Sequence, residues 1–220
     1  MTAAVALLAA AGGCGTDRPT EATPPTTEPP SFPTAVVRDW LDAVAVVDLG
    51  GIAASVESAS ATVLIAAENG YTVAELAGML EGGIPEGVGA SYWGSFDDSF
   101  REFRGVATSD LEVGDFRSLD VDGAEFAAVE LRSPAGASEV VARRVDGRWL
   151  VDMVATFGPA LIRSLRATMD AAVDDARGAV VRAAFVRAVI PALRAAVELS
   201  PSDPLLLSEL GAMERLAGDQ

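Results

Sequence analysis

Carboxylates are the only side chains with which this sequence can do acid–base chemistry near neutral pH. Its 220 residues hold 32 acidic residues and 16 arginines, with no lysine, no histidine and a single cysteine, Cys14. A serine or cysteine nucleophile activated by imidazole is therefore excluded. So is a Cys/His zinc site, which needs about four such ligands. The two tyrosines, Tyr71 and Tyr92, fall in segments that read as loops. Two carboxylates lie between apolar neighbours in β-type runs: Glu130, flanked by Val129 and Leu131, and Asp152, alternating with Leu150 and Val154. Burial at either place would raise the carboxyl pKa and make a general base, whereas pairing with Arg132 or Arg143 would make it structural. Asp120-Val121-Asp122-Gly123 fails as a calcium loop, because the EF-hand register puts Ser118 and Val129 where the first and last ligands belong. Asp97-Asp98, near an expected helix start, reads as a partner of the helix dipole. No metal site and no cofactor is expected.

The formal net charge of −16 also bears on partners, since phosphate is repelled and nucleic-acid binding relies on a basic footprint. Half the residues are hydrophobic and only 22% are charged, so the lysine-free composition reads as GC-rich coding rather than adaptation to salt.

The elements that position such residues begin with an address. Thr2 to Ala11 form an apolar run about half as long as the ~20 residues that cross a bilayer, matching the core of a secretory signal. Ala11-Gly12-Gly13-Cys14 resembles a bacterial lipobox, with Ala11 where that motif usually has leucine. The resemblance implies a signal peptide over residues 1–13, a lipid on Cys14, and anchoring to the outer side of the cell membrane. No arginine precedes the apolar run, so translation is expected to start further upstream. Residues 14–31 are rich in Pro and Thr and cannot bury enough surface to fold. They are expected to form a tether reaching on the order of 50 Å.

Residues 32–156 read as an α+β domain. Val36, Val37, Trp40, Leu41, Val44 and Val47 recur at helical spacing after Pro33. Ile52 to Ala67 reads as a second helix, Thr72 and Glu75 open a third with a capping box, and Glu81 to Gly89 reads as loop. Trp93, Phe96, Phe100 and Phe103 then form an aromatic stripe, either core or the wall of a ligand site. From Leu111 the period changes to two, with strands expected over 111–121, 124–132, 138–145 and 148–155. Asp122-Gly123 and Asp146-Gly147 supply tight turns, a looser turn falls at Pro134-Ala135-Gly136, and Trp149 shares a strand face with Val151 and Met153.

The opening helix ending in Asp48-Leu49, and the closing Val145-Asp146-Gly147-Arg148-Trp149-Leu150-Val151-Asp152, resemble the first helix and last strand pair of NTF2-like (SnoaL-like) domains. That likeness implies a cone, in which N-terminal helices pack on a curved antiparallel sheet around a pocket. Trp93, Phe96, Phe100 and Trp149 are then the candidates for lining it, and Glu130 and Asp152 the candidate bases. The expected function is a membrane-anchored, non-enzymatic module that binds a small apolar ligand or an envelope protein; the alternative is a carboxylate-dependent cyclase, isomerase or hydratase. Residues 157–220 read as a C-terminal helical extension, kinked at Pro191. Part of it resembles a tetratricopeptide-type hairpin at Ala196, Pro201, Leu210 and Gly211, which leaves a scaffold role open. Residues 31–156 hold 21 acids and 8 arginines, against 8 and 7 in residues 157–220, so opposite fields are expected to hold the two parts together.

Overall fold

The computed structural model describes residues 32–218, apart from residues 105 and 135 and the side chains of residues 103 and 104. Cys14, the apolar run before it, the Pro/Thr-rich segment and the side chain of Phe103 thus lie outside the described residues. Helix α1 (Pro33–Ala45) starts as its Pro predicts and buries Val36, Val37, Trp40, Leu41 and Val44 along one face. The single helix expected over Ile52 to Ala67 is two, α2 (Leu49–Ser55) and α3 (Ser58–Asn69). Between them Val56 turns extended and bridges Val151, while the Glu57 carboxylate caps α3 by accepting from the N–H groups of Ala59 and Ser60. A run of small residues gave this break no periodic signal. α4 (Val73–Gly82) carries the expected capping box, and α5 (Glu86–Arg104) already begins in the segment read as loop.

A short 3-10 turn (Thr108–Asp110) leads to four antiparallel strands, β1 (Glu112–Val121), β2 (Ala124–Ser133), β3 (Gly136–Val145) and β4 (Arg148–Val151), paired in sequence order. Asp122, Gly123, Asp146 and Gly147 all have positive φ, the backbone of type I′ turns. β4 stops earlier than its pattern suggests, because Asp152 caps α6 (Met153–Phe157) instead of continuing the strand. A 3-10 turn (Gly158–Leu161) follows, then α7 (Ile162–Asp174), α8 (Gly178–Ala184), a π segment (Phe185–Val189), α9 (Ile190–Leu199) and α10 (Pro204–Gly218). Gly178 is required where α7 meets α8, since a Cβ there would collide with the Ala172 carbonyl.

The NTF2-like α+β cone expected from sequence is not formed. The described residues are mostly helical, with one small open sheet, and helices lie both before and after it. α1 touches all four strands, and Arg143 of β3 reaches the π segment. The reason lies in the C-terminal helices, whose Leu165, Met169, Val181, Phe185, Val189, Leu193 and Met213 are fully buried in the same core as Trp40 and Phe126. Each such side chain contributes about 1.5–3 kcal/mol on burial, so these helices close over the core rather than trail from a cone. The opposite-field expectation fails for the same reason. Arg177–Glu81 and Arg194–Asp122 do pair, but all four side chains are substantially exposed, and such pairs are worth about 0–1 kcal/mol.

Pro191 does not simply kink its helix. Without an N–H it leaves the Arg187 carbonyl unserved, and the backbone takes a π turn in which Ile190 N–H donates to Phe185 O. The Arg143 guanidinium fills the gap, donating to Arg187 O at 3.2 Å and Ala188 O at 3.5 Å, and lies 5.4 Å from the Phe126 ring centre. Replacing Arg143→Met should cost about 2 kcal/mol in urea unfolding, and the loss should shrink in a Pro191→Ala background that restores the missing donor. Equal losses in both backgrounds would refute this coupling.

Candidate functional site

Three of the four aromatic candidates come together on α5. Trp93, Phe96 and Phe100 recur at helical spacing, and Phe96 is their centre: its ring lies 5.6 Å from Trp93, 5.8 Å from Trp40, 5.8 Å from Phe100 and 5.5 Å from Phe157. Trp40 and Trp93 of this cluster are buried, while Phe96, Phe100 and Phe157 are half-buried and pack edge-on or tilted against their neighbours. Trp93 also forms one wall of a cavity of about 300 Å³. The other walls are Leu49, Ile52 and Val56 around α2, Ala61 of α3, and Ile84 from the short link between α4 and α5. Gly89 of α5 leaves part of the space open, since a Cβ there would meet Leu49 and Ile84 only at 3.7–3.9 Å. Glu86, exposed in the first turn of α5, is the one charged side chain in the lining. Trp149, the fourth candidate, sits half-buried on β4 opposite Arg144, outside this cluster.

The two candidate bases are not brought together. Glu130 is half-buried on β2, where Arg132 holds it at 2.6 Å in an ion pair at the sheet surface. Asp152 has no exposed surface. Its Oδ1 accepts from Ser60 Oγ at 2.7 Å and from Ala155 N–H at 3.0 Å, while Oδ2 has no partner among the described residues. Burial pushes its pKa up to about 6, and the hydrogen bonds from Ala155 and Ser60 oppose that rise; the nearby Glu57 carboxylate adds to it, and Arg143 offsets it. Asp152 is absent from the walls of the Trp93 cavity. Its geometry therefore does structural work, because Ser60 Oγ also accepts from Val154 N–H at 2.8 Å and so ties α3 to α6.

Asp97 likewise changes role. It lies in the second half of α5, not at a helix start, and accepts from both the N–H and the hydroxyl of Thr108 while pairing with Arg101. That bond fixes α5 to the turn before the sheet. Sequence reasoning missed Ser60, whose partner is 92 residues away. It also missed Ile84, although an isoleucine inside Gly82-Gly83-Ile84-Pro85 is an apolar residue in a loop that has to be covered by something.

Because Asp152 titrates higher when folded than its ordinary value of 3.8, the folded state holds its proton more tightly. Its contribution to stability is then complete at acid pH and is lost as pH rises from about 4 through about 6, on the order of 3 kcal/mol in all. Urea unfolding of wild type and Asp152→Asn across that window should show this slope in wild type and its absence in the variant; matching slopes would contradict the assignment.

Set against known proteins, the chain matches no protein-family model, no curated protein and no solved structure, so its functional reading rests on the site itself.

Proposed function

We propose that this chain is a lipid-anchored, extracytoplasmic binding module that takes a small apolar ligand into the Trp93 cavity. The observation that carries the reading is that cavity: an aliphatic and aromatic pocket with a single carboxylate, Glu86, in its lining. Its volume is at the low end of the ~300–1,000 Å³ usual for small-molecule sites, which suits a molecule of a few rings or a short branched chain rather than a full lipid. A ligand with a neutral or cationic polar end is favoured, because Glu86 and the net charge of −16 both disfavour an anion. The address rests on the lipobox-like Ala11-Gly12-Gly13-Cys14 and the Pro/Thr-rich segment after it. A diacylglyceryl group on Cys14 would give two acyl chains, enough for stable attachment where one is marginal. A carboxylate-dependent enzyme is the weaker reading, since the one carboxyl group held in a raised state is sealed away from the cavity.

Binding is testable with N-phenyl-1-naphthylamine, a neutral apolar probe that fluoresces when desolvated. It should bind saturably, and Gly89→Leu, which fills the pocket, should weaken it about tenfold or more with the helical circular dichroism unchanged. Unchanged probe affinity in that variant would exclude the cavity as the site. The address is tested separately: radiolabelled palmitate should enter the protein through Cys14, and Cys14→Ser should move it from membrane to soluble fraction. Equal membrane retention of the two forms would remove the anchor.

A further inference from the structure

Another face of α5 borders a second depression of about 390 Å³, between this helix and the end of α3. Its chemistry differs from that of the Trp93 cavity. Ser91, Ser95 and Ser99 repeat every four residues and so stand in a row about 6 Å apart, about 12 Å from first to last. Elsewhere Ser55, Thr62, Thr156 and Thr168 donate their hydroxyls to the carbonyl four residues back. The three serines of the groove do not, and their hydroxyls have no protein partner among the described residues. Asn69, at the end of α3, donates its amide to Ile65 O, and its side-chain carbonyl has no partner among the described residues. Burial, together with the nearby charge of Glu68, pushes the Tyr92 pKa up, so the phenol stays neutral. Tyr71 and Phe96 add aromatic surface to the same lining.

These properties select among ligand classes. With one carboxylate and no arginine in its lining, the groove repels phosphate and carboxylate groups. An apolar occupant would strand a row of hydroxyls without water or partner, a desolvation cost that nothing in the lining offsets. What matches is a neutral molecule with many hydroxyls around a ring and an apolar C–H face: the hydroxyls pair with Ser, Asn and Glu, and the C–H face lies on an aromatic ring. We propose that this groove binds a neutral saccharide, one or two sugar rings long, along the Ser91–Ser95–Ser99 row. The site is independent of the apolar cavity.

The test uses the full chain in detergent, with glucose, N-acetylglucosamine, cellobiose and diacetylchitobiose as probes, read by saturation-transfer NMR and titration calorimetry. At least one sugar should bind saturably in the millimolar range. Ser95→Leu, on an exposed helical position, should weaken it about tenfold, and the milder Ser91→Ala/Ser95→Ala double variant should also weaken it, whereas the cavity variant Gly89→Leu should leave it unchanged. Saturable transfer to none of the four sugars overturns the proposal. Equal affinity in the serine variants overturns it too, as does tighter binding of tetramethylammonium than of every sugar, which would make the groove a cation site.

Discussion

Everything in this molecule hangs on one buried carboxylate. Asp152 stands where the sheet ends and the C-terminal helices begin, and its two good hydrogen bonds reach in opposite directions: to the Ala155 N–H that starts α6, and to Ser60 on α3. Its own N–H donates to Val141 O, and Thr156 closes the loop by bonding both the Asp152 carbonyl and the Val141 N–H. Just before it, Val151 bridges Val56 and its carbonyl accepts from Glu57 N–H. The end of β4 thereby decides where α2 stops and α3 begins. Since Ile52 and Val56 line the Trp93 cavity, the shape of that cavity depends on this junction although Asp152 is not among its walls.

A carboxyl group with no exposed surface and one unpartnered oxygen is costly, and an apolar side chain of similar size would remove that cost. No apolar residue could cap α6 and hold Ser60 together, however. The surrounding core supplies the margin: β2 is buried from Phe126 to Val129 and at Leu131, α3 from Ser60 to Ala67, and the C-terminal helices on their apolar stripes. Charge plays a minor part in this cohesion, as the Arg117–Glu139, Arg177–Glu81 and Arg194–Asp122 pairs are all exposed. Arg143 is different, because its target is backbone that Pro191 has left without a donor.

Local rules made much of this legible in the sequence. The Pro33 start, the Thr72–Glu75 capping box and the two Asp-Gly turns each need only neighbours within four residues, and the structure has all of them. The strand positions followed from their period of two. What failed was non-local. The α2–α3 break is fixed by a strand roughly 95 residues later, and the last strand was overextended because Asp152 looks like an alternating residue until Ser60 is placed beside it. The cone went wrong for a related reason: an apolar helical stripe says that a helix must be buried, not what it buries against. For the candidate site, Trp93, Phe96 and Phe100 were legible because they lie on one helix, while Trp149 was misplaced because strand alternation gives a face and no partner. Glu130 and Asp152 looked alike in sequence, and only the fold around Ser60 separates an ion pair at the sheet surface from a buried cap.

The division of labour on α5 follows from its own geometry. Successive residues on a helix point about 100° apart, so Tyr92 and Trp93, with rings edge-on at 5.0 Å, face two different depressions from adjacent positions. One side of the helix is glycine and tryptophan against aliphatic walls; the other is serine and tyrosine against the polar end of α3. Such a helix serves both sides only if it does not rotate, because a turn of a few tens of degrees would carry hydroxyls toward the apolar walls. Two constraints prevent that. Phe96 is locked among five aromatic rings, and Asp97, one residue on, holds Thr108 through both its N–H and its hydroxyl. The aromatic stripe that first suggested a ligand wall therefore has two parts in the structure: Trp93 walls the apolar cavity and Phe96 borders the groove, while the packing of Phe96 against its five ring neighbours keeps α5 from turning.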